Sequence, residues 1–453
     1  MMKLSLNWLE SYFTVAPDWD TVLAKLTMAG IEVEGVECVA PPFSGIVVAK
    51  VIECVKHPEA DKLNLCQVDA GSGELLQIIC GASNVKAGVV VPCAKVGAVL
   101  PDGLQIGERK MRGIISHGML CSGVEIACPD GVDGLLLLPE DAPIGVDIRD
   151  YLHLDDKVVE FKITPNRGDC LSVFGILREI EALTSYQLKP GYFTQISTLQ
   201  TDIPDTVQIN MVEALHCPHY VSLVIKGVNN KIILPNHITK RLNLSGIRSI
   251  SPIVDIANYV MLELGQPLHA FDLAKVGNAL HVRMAKNAET LHLLDGKIVN
   301  LQENTLVIAD SKNQVAAIAG VMGGLDSGVM DTTTDIVIES AFFMPEIIAG
   351  QSKRYGVNSD AAYRFERGVD TQLQVKAIGY AANLIHEYCG GSIGEVNEIN
   401  AADCKKLPTI MVDYGLFRRI IGVDIERDKV NAILKKLGFT ITVNTDQDCI
   451  TVT

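Results

Sequence analysis

The strongest constraint on the fold is a change of texture near residue 40 that reverses near residue 150. Before it, Val22, Leu23 and Leu26 form one apolar helical face, Asp18 or Asp20 can cap that helix, and Gly30 can end it. After it, the turn Thr164-Pro165-Asn166-Arg167-Gly168 leads to Asp169, an expected N-cap. Val173, Phe174, Leu177, Ile180 and Leu183 then resume a helical stripe. Between these helices lie short β-branched runs separated by glycines: GIVVAKVIECV, LLQIICGA and GVVVPCAKVG. Short strands at that spacing predict a small closed barrel in residues 40–149, inserted into a domain built from 1–39 and 150–190.

At 453 residues the chain exceeds one ordinary core, so about three domains are expected. A polar, Pro-containing linker at roughly 189–206 precedes a module at 207–395. Within it, Ser251 to Asp272 reads as a capped helix and a tight turn. Ser251 suits the N-cap, Pro252 the first helical position, and Ile253, Ile256, Ala257, Val260, Met261 and Leu264 recur at helical spacing. Gly265 can supply the left-handed end, and Pro267 keeps the helix from resuming. Asn258 interrupts the apolar helix and His269 lies just beyond its end, as in the wall of a small-molecule pocket. Leu293-Leu294-Asp295-Gly296-Lys297-Ile298-Val299 predicts a hairpin with a type I′ turn. Strands are expected at 306–309, 314–319 and 336–339, and a helix from Gln372 to Tyr388. The tail from about 405 carries a helical pattern, Lys429 to Leu437, and two strand-like runs, and reads as stopping in mid-domain.

Composition narrows the function. Net charge is −15, against a general nucleic-acid coat but compatible with a structured RNA held by local patches. The candidate patches are Arg109, Lys110 and Arg112; Lys353 and Arg354; and Arg418 and Arg419. None of the 12 cysteines forms a CxxC pair, so buried reduced thiols are expected rather than zinc ligands. No apolar run reaches membrane-spanning length, and the N-terminus lacks the features of a signal peptide, which predicts a cytoplasmic protein.

Several motifs carry chemistry. HPEADKL at 57–63 alone reads as a turn, but with GMLCS at 118–122 in the expected barrel it resembles the tRNA-binding oligonucleotide/oligosaccharide fold. Gly320-Val321-Met322-Gly323-Gly324 lacks a Walker ending, and suits close approach of backbone to a ligand or a plain turn. Glu339 ends the apolar run Ile336-Val337-Ile338 and precedes Phe342-Phe343; a carboxylate there is unfavourable unless paired or used. Asn358 to Asp370 interleaves charge with Tyr363 and Phe365. There is no Gly-x-Ser-x-Gly, no Cys/His nucleophile signature and no HExxH.

These motifs, with LTMAGIEVEGVE, ITPNRGDCLS, GIRSI, NYVMLELGQPLHAFD, ESAFF and RFERGVD, resemble the bacterial-type phenylalanyl-tRNA synthetase beta subunit, of which this chain would be the N-terminal part. The resemblance implies a multidomain α+β chain: a discontinuous domain at 1–39 plus 150–190, an inserted OB-fold tRNA-binding barrel at 40–149, a mixed α/β editing module at 207–395, and the start of a winged-helix-like domain at 405–453. It implies an editing site that hydrolyses tyrosine misattached to tRNA(Phe). The matching positions are Asn258, His269, Gly320, Gly323, Glu339, Ser359 and Ala361, with Glu339 recognising the tyrosine hydroxyl. Water activation by His269 and by the terminal ribose of the tRNA both stay open. An alpha subunit would hold the aminoacylation site in a heterotetramer of two alpha and two beta chains. ATP would be its substrate, and magnesium ligands are expected beyond Thr453. Ala257 departs from the family's frequent threonine, and Ser359 replaces a common threonine. Two other readings are a non-enzymatic tRNA-positioning scaffold and a free-standing trans-editing deacylase.

Overall fold

The computed structural model describes residues 2–128, 133–191, 199–400, 407–444 and 448–453. The chain divides into two compact units, Val36–Val158 and a second made of Met1–Gly35 with Val159–Thr453.

In the unit Val36–Val158, five antiparallel strands run in the order Leu75–Cys80, Ala60–Asp69, Ser44–His57, Val90–Val99, Gly118–Leu120. The order is linear, so the hydrogen-bonded ladder does not close into the expected ring. The central strand is apolar without alternation because both faces are covered: Ile46 and Val48 enter one cluster, Val47, Ala49 and Val51 the other. Cys66 and Cys93 are buried there, and burial pushes both thiols up to about 12, so they pack as small apolar groups. Every described cysteine is a free thiol. A short hairpin, Arg109–Met111 with Ile114–Ser116, turns through Arg112 and Gly113, both with positive φ as a type I′ turn requires.

The other unit centres on an antiparallel sheet ordered Leu268–Asp272, Asp335–Phe342, His219–Lys226, Ser392–Ile393. One face packs Val221, Leu223, Ala270, Ile336 and Ile338 against helices Pro252–Leu264 and Gln374–Cys389. The same core runs on into the first 31 residues and the helix Val173–Leu183. The other face, with Tyr220, Val224, Phe271, Val337 and Ala341, packs against a second sheet that includes Ala279–Met284, Leu306–Ala309, Val315–Ile318 and Met322–Gly323. Period-2 alternation therefore assigns each residue of the first sheet to a helix side or a sheet side. In the tail, strands Ile410–Asp413, Cys449–Val452 and Ile441–Asn444 form a small sheet, and helix Tyr414–Ile421, absent from the sequence reading, has no buried residue.

Three local expectations are corrected. Ser251 occupies the N-cap position as expected, but its hydroxyl has no partner among the described residues; Asn230 Oδ1 instead accepts the Ile253 N–H at 3.3 Å. Ser172, not Asp169, caps the helix at 173, because Arg167 engages Asp169 at 2.9 Å. The 293–297 turn has positive φ at Gly296 and not at Asp295. It is a type I turn, closed by Gly296 N–H to Leu293 O at 2.9 Å, with glycine in the left-handed position that follows. Gly265 does end its helix in the left-handed conformation, at φ 86°. Among the described residues no helix is long and apolar enough to cross a membrane.

Candidate functional site

Strand register builds the site. Ser222, Glu339 and His269 face one another across three adjacent strands, on the side that meets the second sheet. A pocket of about 70 Å³ opens over them. Its wall is Pro267, Leu268 and His269, then Ile308, Ala317 and Ile318 from the second sheet, the 320–323 loop, Glu339, and Ala361 with Phe365 one helical turn on.

Glu339 is 5% exposed, and its Oε2 has no hydrogen-bond partner. Desolvation pushes its carboxyl up to about 8, against a smaller opposing effect of the Tyr220 hydroxyl. That hydroxyl faces Glu339 closely enough to act on its charge but makes no well-formed hydrogen bond. His269 Nε2 is likewise sealed and unpartnered, and burial pulls its pKa down to about 4. At neutral pH the histidine is uncharged and the carboxyl is mostly protonated. By contrast His219, buried where His269 is half-buried, is satisfied on both nitrogens, by Thr371 O at 3.1 Å and Glu398 Oε1 at 2.9 Å. Both rings bury a nitrogen, and of the two only His269 keeps unused hydrogen-bonding capacity at a pocket.

The glycines act by what they omit. A Cβ on Gly323 would sit 2.5 Å from His269 Cε1, so glycine leaves room for the imidazole. Gly320 has φ +66°, and a Cβ there would press on Phe343, Ile348 and Phe365 at 3.0–3.1 Å. Its N–H has no partner among the described residues, which leaves a backbone donor at the pocket. The Ser359 hydroxyl donates to Val321 O at 2.7 Å and accepts from Ala362 N–H at 3.2 Å. It thereby ties the start of helix Asp360–Phe365 to the glycine loop.

The structure thus gathers His269, Gly320, Gly323, Glu339 and Ala361 at one pocket. Ser359 braces the wall from behind. Asn258 is half-buried on its helix and outside the lining, as is Ala257. The aromatic ring in the wall is Phe365, not Phe342 or Phe343; Phe343 supports Phe365 edge-on at 5.0 Å. Tyr220 escaped the sequence reading, since nothing local to it signals the distant Glu339.

Two other clusters resolve differently. Asp169, Cys170 and Glu179 lie close enough to hold a cation, but Arg167 Nη2 already reaches all three, at 2.9, 3.0 and 2.5 Å. Their charge is spent on a guanidinium. Arg109, Lys110 and Arg112 are exposed on their hairpin without an ion-pair partner among the described residues, beside exposed Met111 and Ile115. Arg354 bonds Asn304, and Arg418 and Arg419 face Asp424 and Asp413.

Residues 46–147 match the family described as a putative tRNA binding domain, and residues 216–390 match the B3/4 domain. A phenylalanine–tRNA ligase beta subunit from Neisseria meningitidis is 48% identical over 96% of this chain and 55% of its own length. One from Francisella tularensis is 46% identical over 100% of this chain and 57% of its own length. Over nearly its whole length the chain is similar to phenylalanine–tRNA ligase beta subunits. It spans about half the length of the curated relatives it matches. A crystallised N-terminal fragment of the Pyrococcus horikoshii beta subunit aligns over 66% of this chain and 81% of its own, at 14% identity and a TM-score of 0.31.

Proposed function

We propose that this chain carries the tRNA-binding and editing modules of a phenylalanine–tRNA ligase and hydrolyses tyrosyl-tRNA(Phe) in the pocket at Glu339. The observation that carries the reading is the unpartnered, desolvated Glu339 carboxyl in a pocket wall of apolar side chains and glycine backbone. A phenylalanine-shaped synthetic site rejects tyrosine only roughly 100-fold, because an added hydroxyl is weakly excluded by an apolar pocket. A second site reverses the preference when the hydroxyl is required. The phenol of tyrosine pairs with Glu339, whereas phenylalanine leaves that carboxyl buried and unpaired. Leu268 and Met322 are half-buried in the wall and are the side chains that yield to admit a ring. Hydrolysis then needs an oriented water near neutral His269 and a donor for the developing oxyanion, a role open to Gly320 N–H.

In this reading residues 40–149 form an OB-type tRNA-binding module, with Arg109, Lys110 and Arg112 on phosphates. Residues 1–39 with 150–190 form the domain that carries it, 207–395 the editing module, and 405–453 a winged-helix-like module. The enzyme joins phenylalanine to tRNA(Phe) with ATP and magnesium in the cytoplasm, as a complex of two alpha and two beta chains, with the synthetic site on alpha. The test is deacylation of tyrosyl-tRNA(Phe) by this chain, alone and with an alpha subunit. Loss of hydrolysis in Glu339→Ala and His269→Ala supports editing. Tight tRNA binding with no deacylation in either setting would leave a positioning scaffold, and full activity of the chain alone would mark a free-standing deacylase.

A further inference from the structure

Four buried polar atoms on the sheet face beneath the pocket have no partner among the described residues: Tyr220 OH, Ser222 Oγ, Glu339 Oε2 and His269 Nε2. Glu339 and His269 reach the pocket, while Tyr220 and Ser222 lie outside its lining. Such groups are rare in native cores because each forfeits its hydrogen bonds to water. We propose that Tyr220 is a positioning residue for Glu339: its buried hydroxyl, unpaired in this structure, closes on one oxygen of the ionised carboxyl and so presents the other to the ligand's phenol. This rests on the reading of Glu339 as the hydroxyl-sensing group.

Register supports the assignment. Tyr220 pairs with Ala341, two residues along from Glu339, so both side chains project from one face of adjacent strands. Tyr220 is 0% exposed, and its ring is fixed in the core between the sheets. Its hydroxyl favours the charged form of Glu339, and burial first, with Glu339 as a smaller cause, raises the pKa of the phenol, as expected for a donor beside a carboxyl. Ser222 is nearer in register, directly opposite Glu339, but exerts no such effect. The other ionisable groups on the surrounding elements do not compete. His269 is uncharged at neutral pH. Cys217, just before the strand, acts on Tyr220 and not on Glu339. The strands Val315–Ile318 and Met322–Gly323 bring no ionisable side chain, and Asp360 and Arg364 of the neighbouring helix pair with each other at 3.1 Å.

The experiment follows the carbonyl stretch of protonated Glu339 by infrared titration of the full chain, with the band assigned by its loss in Glu339→Gln. The tyrosyl-over-phenylalanyl hydrolysis preference is measured on the same variants. Tyr220→Phe should raise the midpoint by about one pH unit and cut the preference roughly tenfold, since one hydrogen bond to a charged group is lost. Ser222→Ala should leave both unchanged. Replacing tyrosine by difluorotyrosine, a stronger donor, should move the midpoint down, a direction that loss of packing does not produce. An unmoved midpoint in both Tyr220→Phe and the fluorinated protein would overturn the proposal. The reading of Glu339 itself fails separately, if Glu339→Gln keeps the full preference.

Discussion

Two buried glutamates of the same unit are treated in opposite ways. Glu263 is 2% exposed, but its Oε1 receives the hydroxyls of Tyr12 and Tyr259, and Arg241 reaches Tyr259 at 2.7 Å. Trp8 stacks on Tyr259 at 5.3 Å, so the cluster stitches the first turns of the chain to helix Pro252–Leu264. Glu339 is about as deep and has no comparable cage. Burial raises both carboxyls above their ordinary range. A raised pKa therefore does not mark a functional group here, and neither does one unpartnered oxygen, since Glu263 Oε2 also lacks a partner among the described residues; what separates the two is the hydroxyl donors on Glu263 Oε1 and the pocket at Glu339.

The comparison breaks most sharply by mutation. Glu339→Ala should lower tyrosyl-tRNA hydrolysis roughly 100-fold or more without lowering the melting temperature, since removing the carboxyl also removes the cost of its ionisation. Glu263→Ala should do the reverse. Stripping the tyrosine hydroxyls of their acceptor should cost about 3 kcal/mol in denaturant unfolding, with the tyrosyl preference intact. Equal effects of the two variants on preference would erase the distinction.

Stability against pH sharpens it further. Glu339 has a folded pKa of about 8 against an ordinary 4.5, so its protonated form belongs to the folded state. Its contribution is fully present below 4.5 and is lost as pH rises through 8. His269, at about 4 against 6.5, works oppositely: its contribution is present above 6.5 and is lost as pH falls toward 4. The two offset each other between 4.5 and 6.5, leaving Glu339 alone to act from 6.5 to 8. Glu339→Gln should remove a decline of at most about 1.4 kcal/mol per pH unit in that upper window. His269→Gln should expose a similar decline in the lower one, both read by unfolding titrations.

Smaller effects lie at the edges of the site. Gly323→Ala should displace the His269 ring and slow hydrolysis about tenfold with little change in tRNA affinity, because the intruding Cβ meets a side chain rather than backbone. Lys110→Glu should weaken tRNA binding only a few-fold and flatten its salt dependence, measured by filter binding at several ionic strengths.

Local chemistry was legible in the sequence where one segment decides it. Pro252 and Gly265 bound their helix as expected, since cap geometry needs only neighbouring residues. Where a distant partner intervenes, the reading failed: Arg167 engaged Asp169, and Asn230 rather than the Ser251 hydroxyl serves a first-turn N–H of the helix at 252. The candidate pocket was half legible. His269, Glu339 and the two glycines stood out because each is anomalous in its own segment, a histidine after a helix end or a carboxylate in an apolar strand. Tyr220 and Phe365 look like ordinary core aromatics in sequence, and only register and folding bring them to Glu339 and the pocket.

The most direct measurement compares hydrolysis of tyrosyl-tRNA(Phe) and phenylalanyl-tRNA(Phe) by the parent chain and by Glu339→Ala, with melting curves recorded in parallel. The expected result is a parent preference for the tyrosyl ester of roughly 100-fold that collapses to within a few-fold of unity in the variant, with no loss of stability. A preference that survives the loss of Glu339 would contradict the assignment of this carboxyl as the hydroxyl sensor.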